Sequence, residues 1–129
     1  MLSFRRETEY AVQLLRTLAK SKTEKSLKEI SDEIGVSFLF LQKIARKLRQ
    51  AKLVTAEKGS NGGYRLSVAA SKLSLRKIIA ITETECELLP CCAEKFSCPK
   101  NKGCLLKGKV SKVNMALNKM LDKIKLNEL

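Results

Sequence analysis

At 129 residues with 44% hydrophobic content and no Trp, the chain suffices for one domain with a Leu, Ile, Val and Ala core, plus at most a helical appendage. Lys and Arg total 26 against 13 Asp and Glu, a net charge of +13, which favours a polyanionic partner, nucleic acid before an anionic membrane. There is no His, and without a nucleophile–base pair or a phosphate loop nothing is in place for acid–base catalysis, which argues against an enzyme.

Charges run through the first 20 residues, and no apolar run approaches the roughly 18 residues of a spanning helix. The expectation is a cytoplasmic chain without a membrane partner. In that compartment five clustered cysteines point to metal or redox chemistry before structural disulfides.

In chain order, residues 5–20 read as a helix whose inner face is Ala11, Leu14, Leu15 and Leu18. Ser26-Leu27-Lys28-Glu29 has the form of a capping box. It predicts a short helix from Leu27 to Ile34, stopped at Gly35, a residue that tolerates the left-handed conformation of a helix end. Ser37 is a second N-cap, opening a helix from Phe38 to about Gln50. Its inner stripe is Leu41, Ile44, Ala45 and Leu48, while Gln42, Lys43, Arg46, Lys47 and Arg49 lie outside. Two helices joined at a glycine, the second basic on its free face, form a helix-turn-helix pattern. A solvated helix pair has the same pattern, so the next segment matters.

Leu53–Lys58 and Tyr64–Val68 read as strands around GSNGG, and Asn61-Gly62 is a hairpin signal. A hairpin directly after a recognition helix is the wing of a winged helix. From Gly35 to Leu66 there are seven Lys or Arg and a single acid, Glu57. Lys58 and Arg65 flank the tip, where they can meet a phosphate backbone or minor groove. Ser74 caps a further helix, Leu75 to about Thr82.

Residues 83–104 differ from everything else, holding all five cysteines and both prolines. Cys92, Cys98 and Cys104 are separated by five residues each, so three thiolates on a Pro- and Gly-containing loop can converge on one inorganic centre. Structural zinc sites prefer paired ligands at closer spacing, and no C-x2-C is present, although Cys86 and Cys91 have four residues between them. Thiol–disulfide sensing is the remaining possibility.

A helix from Leu105 to about Leu126 follows, in which Leu106, Val110, Val113, Leu117, Met120 and Ile124 alternate steps of four and three. That is a heptad seam, and a helix of this length needs a partner. The expectation is a homodimer, because paired helix-turn-helix units read paired half-sites on double-stranded DNA.

The reading is thus mainly α with a small β-hairpin wing: a winged helix-turn-helix DNA-binding domain (1–82), a cluster-binding loop (83–104) and a long C-terminal dimerisation helix (105–129). The stretch Thr8-Glu9-Tyr10-Ala11, the run SLKEISDEIGVSFLFLQKIARKLRQAKLV, the wing KGSNGGYRL and the cysteine spacing together resemble the IscR/NsrR-type family of bacterial winged-helix iron–sulfur regulators, over nearly the whole chain.

The resemblance implies a transcriptional regulator, most simply a repressor at a palindromic operator. Its DNA binding would be governed by a cluster sensing iron–sulfur, redox or nitric oxide status. It makes Cys92, Cys98 and Cys104 the cluster ligands. Where the IscR branch has a ligating His, three residues beyond the third cysteine, this chain has Lys107. In the NsrR branch the fourth ligand is an acid from the other subunit, matched here by Glu9. This favours a 4Fe-4S over a 2Fe-2S cluster, with Glu9 or a spare cysteine completing it. On the DNA side Ser37, Phe38, Phe40, Gln42 and Lys43 occupy the groove-entering end of the recognition helix, with Gln42 suited to adenine and Lys43 to guanine or phosphate. Arg46, Lys47, Arg49 and Lys58 are expected on phosphates, and Phe38 and Phe40 either pack or touch DNA. The competing function from another class is a zinc- or thiol-based basic protein that binds a protein or RNA partner.

Overall fold

Helix α1 (Arg6–Lys20) buries Ala11, Leu14, Leu15 and Leu18, the four residues at helical spacing, and they form one wall of the core. Its first turn carries Glu7 and Glu9, acids that complement the positive end of the helix. The computed structural model describes residues 4–59, 62–83 and 103–129. Cys86, Cys91, Cys92 and Cys98, and Asn61 at the hairpin tip, therefore lie outside the described residues.

The capping box forms as expected: Ser26 Oγ accepts the Glu29 N–H at 3.2 Å and Glu29 Oε2 accepts the Ser26 N–H at 3.0 Å. It opens α2 (Leu27–Ile34), which ends at Gly35 with φ of 70°. Ser37 Oγ then accepts the Phe40 N–H at 3.3 Å and starts α3 (Phe38–Gln50), whose buried stripe is Leu41, Ile44, Ala45 and Leu48. Helix α3 ends at Gln50 as expected, by a stop that carries no glycine. Lys52 takes φ of 61°, its N–H bonds to the Arg49 carbonyl, and the Leu53 N–H reaches back to Leu48, each at 3.0 Å. This is a Schellman motif with lysine where glycine is usual.

Strands β1 (Val54–Ala56) and β2 (Tyr64–Leu66) pair antiparallel in the register Val54 with Leu66, Thr55 with Arg65 and Ala56 with Tyr64. Both are shorter than their sequence suggested. Lys25, in the connection before α2, adds a third edge: its N–H and C=O both pair with Tyr64, at 3.2 and 2.7 Å. This contact explains Gly63, since a Cβ there would lie 2.6 Å from the Lys25 carbonyl carbon and oxygen. A 3-10 turn (Ala70–Lys72) leads to α4 (Leu75–Thr82), capped by Ser74 Oγ.

Helix α5 (Leu105–Lys123) stops short of the predicted Leu126. The physical reason is that Leu126 belongs to the core, 1% exposed among Leu14, Leu15 and Ile78. To reach it the chain leaves the helix and pairs with the segment before α4, where the Leu75 N–H bonds to Ile124 O at 2.8 Å and the Leu126 N–H to Leu73 O at 2.9 Å. Asp122 secures the same corner, accepting from Ser74 Oγ at 3.2 Å and pairing with Arg76 at 2.9 Å. Along the heptad seam the described residues leave Leu106, Val113 and Met120 59%, 58% and 65% exposed.

Candidate nucleic-acid interface and sensing loop

The open face of α3 carries Leu39, Gln42, Lys43 and Arg46, which step by three, one and three and are all exposed. Opposite them the buried stripe fixes the helix on the core. Phe38 and Phe40 part company. Phe40 is half-buried and meets Tyr10 of α1 edge-on, with ring centroids 5.6 Å apart at 88°, whereas Phe38 is exposed. Ser37 spends its acceptor on the helix cap, and its hydroxyl proton stays available for donation.

Lys47 faces the core side rather than the open stripe. Its ammonium lies 2.5 Å from Oε1 of Glu7, a carboxylate with only 11% side-chain exposure. This ion pair bolts α3 to the first turn of α1 and engages the charge that sequence reasoning reserved for a phosphate. Arg49, Lys52, Thr55 and Ser67 line a shallow cleft between the end of α3 and the hairpin. Arg65 and Lys58 are exposed on the wing. Five cations expected at DNA (Lys43, Arg46, Arg49, Lys58 and Arg65) thus face solvent on the helix-plus-wing side.

A second cluster escaped sequence reasoning altogether. At the end of α4, Glu83 accepts the Arg5 N–H at 2.8 Å and the Thr8 hydroxyl at 2.5 Å, with the Arg5 guanidinium 3.5 Å away. Thr8 and Thr82 share a further bond of 2.7 Å and are almost fully buried. Since the one proton of Thr8 goes to Glu83, Thr82 donates in that pair. Residues more than seventy apart meet here, and no local spacing signals such a contact. Glu83 is also the last described residue before 84–102, so the root of the cysteine segment is tied to the first turn of α1.

Of the expected cluster ligands, Cys104 and Glu9 are described. Cys104 is an exposed free thiol immediately before α5. Glu9 is exposed on α1, with Gln13 Nε2 at 3.5 Å from its carboxylate. Among the described residues no three Cys, Asp or Glu side chains gather into a metal-binding group. An unengaged thiol and a solvent-facing carboxylate are donors compatible with an iron–sulfur centre.

Comparison with known proteins gives concordant matches. The profile of the Rrf2 family, described as iron-dependent transcriptional regulators, matches residues 4–129. The chain is similar to the HTH-type transcriptional regulator NsrR of Shouchella clausii, with 30% identity over 95% of this chain and 84% of that one. Among solved structures it resembles CymR, the global cysteine regulator of B. subtilis, with a TM-score of 0.81 at 22% identity, covering 99% of this chain and 95% of that one. It also resembles T. potens IscR, with a TM-score of 0.73 at 27% identity, covering 98% and 85%. Among the described residues no helix is long and apolar enough to cross a membrane.

Proposed function

Because the chain belongs to the Rrf2 family of transcriptional regulators, and so is a DNA-binding regulator and not an enzyme, we propose that it acts as a homodimeric repressor on a palindromic operator, with an iron–sulfur cluster governing its affinity. The observation that carries the DNA side is the solvent-facing stripe of α3 beside a basic hairpin. The exposed seam of α5 supports a second copy as its cover. In this reading residues 1–82 bind DNA, 83–104 hold the cluster and 105–129 dimerise. Gln42 and Lys43 read bases, while Arg46, Arg49, Lys58 and Arg65 hold phosphates.

Cys92, Cys98 and Cys104 would hold the cluster, with Glu9 of a second copy as the fourth ligand of a 4Fe-4S site. When bound, such a group supplies a reversible response to iron supply, oxidants or nitric oxide. This chain's own residues do the rest. Glu83 at the root of the cysteine segment grips Arg5 and Thr8, and Glu7, which lies between them in the chain, grips Lys47 of α3. A changed path of residues 84–102 is therefore felt at the first turn of α1, and from there at the recognition helix. Two such helices must sit about 34 Å apart to enter successive major grooves, so a small rotation of each suffices to lower affinity.

Likeness to a cysteine regulator, together with the exposed Cys104 thiol, favours a second reading, in which the same fold regulates through thiol chemistry without a cluster. Anaerobic purification followed by iron and acid-labile sulfide counting separates them. About four irons and four sulfides per chain, with loss of both in Cys98→Ala, is the expected result. Zinc alone, or metal-free protein with unchanged operator binding, refutes cluster control.

A further inference from the structure

We propose that Leu39, flanked by Phe38, is an apolar reader of thymine methyl groups and sets part of the operator preference. This rests on the DNA-binding reading above. Leu39 is 77% exposed and Phe38 42% exposed, in the first turn of an otherwise polar outer face. At about 100° per residue, Leu39 lies directly across the helix from Leu48, which is fully buried. It is no displaced core residue, because the inner stripe of α3 is complete without it. The turn that carries it is held by the Ser37 cap on the Phe40 N–H and by Phe40 against Tyr10.

Leu39 is also the first member of the stripe that continues with Gln42, Lys43 and Arg46. Any surface that seats these three side chains must also take the leucine. Between Gly35 and Leu66, leaving aside Lys47, which is paired with Glu7, six cations stand against one acid, so the fitting occupant is a polyanion rather than an apolar protein surface. On the major-groove edges of DNA the apolar group available is the C5-methyl of thymine. A leucine carried into the groove by the N-terminal turn of α3 meets that methyl favourably. It meets the exocyclic amine of cytosine or adenine at a desolvation cost.

The experiment uses the full chain in its anaerobically purified form and a random-sequence duplex library from which it selects its own site. Each thymine of the enriched site is then replaced singly by deoxyuridine, which removes the methyl and leaves the hydrogen-bonding edge intact. At one or two positions in each half-site affinity falls about fourfold, the loss for one buried methyl-sized group. Leu39→Ala binds the thymine and deoxyuridine forms equally at those positions, while Gln42→Ala still distinguishes them. Indifference of the unaltered protein to every replacement overturns the proposal, as does a loss of the same size in Leu39→Ala. If no sequence is enriched, the DNA-reading premise falls, and the proposal with it.

Discussion

Replacing Glu83 with Ala tests whether the root of the cysteine segment is coupled to α1. The substitution removes the acceptor for the Arg5 N–H at 2.8 Å and for the Thr8 hydroxyl at 2.5 Å. Hydrogen bonds to a charged group contribute about 1.5–3 kcal/mol each, but three features reduce the sum. Arg5 is exposed, so water replaces the carboxylate at its amide. The guanidinium contact, with Arg5 60% exposed, adds little. Thr8 can turn its proton to Thr82 Oγ1 at 2.7 Å, while Thr82 turns its own to the Ile78 carbonyl at 3.1 Å. The expected loss is about 2 kcal/mol, equivalent to a fall in Tm of about 7 °C for a chain of this length. Glu83→Gln, which keeps one oxygen acceptor, loses about half as much. Thermal unfolding gives the total, and amide hydrogen exchange over residues 5–10 locates it. A loss below about 0.5 kcal/mol, or unchanged exchange in that turn, would refute the coupling.

Leu126→Ala empties a core position that the chain leaves a helix to fill, so it is expected to destabilise by about 3 kcal/mol in chemical denaturation, a value a loosely docked tail would not give. Arg46→Ala weakens binding to every duplex and reduces the salt slope by about one, whereas Gln42→Ala redistributes base preference at one position. Selection on a random library with each variant at two salt concentrations distinguishes the two roles.

The local features of the fold were legible because their causes are local. Ser26 with Glu29, Ser37 and Ser74 each satisfy a free helix amide within three residues, and Gly35 stops α2 through its own φ. Helical spacing separated the buried stripe of α3 from its open face without any tertiary information. What could not be read depends on long-range meetings. Ile124–Leu126 looked like more heptad, since nothing in its spacing reveals that Leu73–Leu75 offers a backbone edge and Leu14 a place to bury Leu126. Lys47 looked like another outward cation because its partner, Glu7, lies on a different helix. Phe38 and Phe40 are equivalent by composition, and only the position of Tyr10 divides them.

The corner at Asp122 and Leu126 has a mechanical consequence. Ser74, Arg76, Leu73 and Leu75 hold the C-terminal end of α5, whereas its opposite end begins at an exposed cysteine. Asn114 is buried midway along the helix, so the more exposed arm runs from there to Cys104, ten residues or about 15 Å. A swing of about 20° in that arm moves Cys104 by about 5 Å, close to one helical turn and as large as a register step between two packed helices.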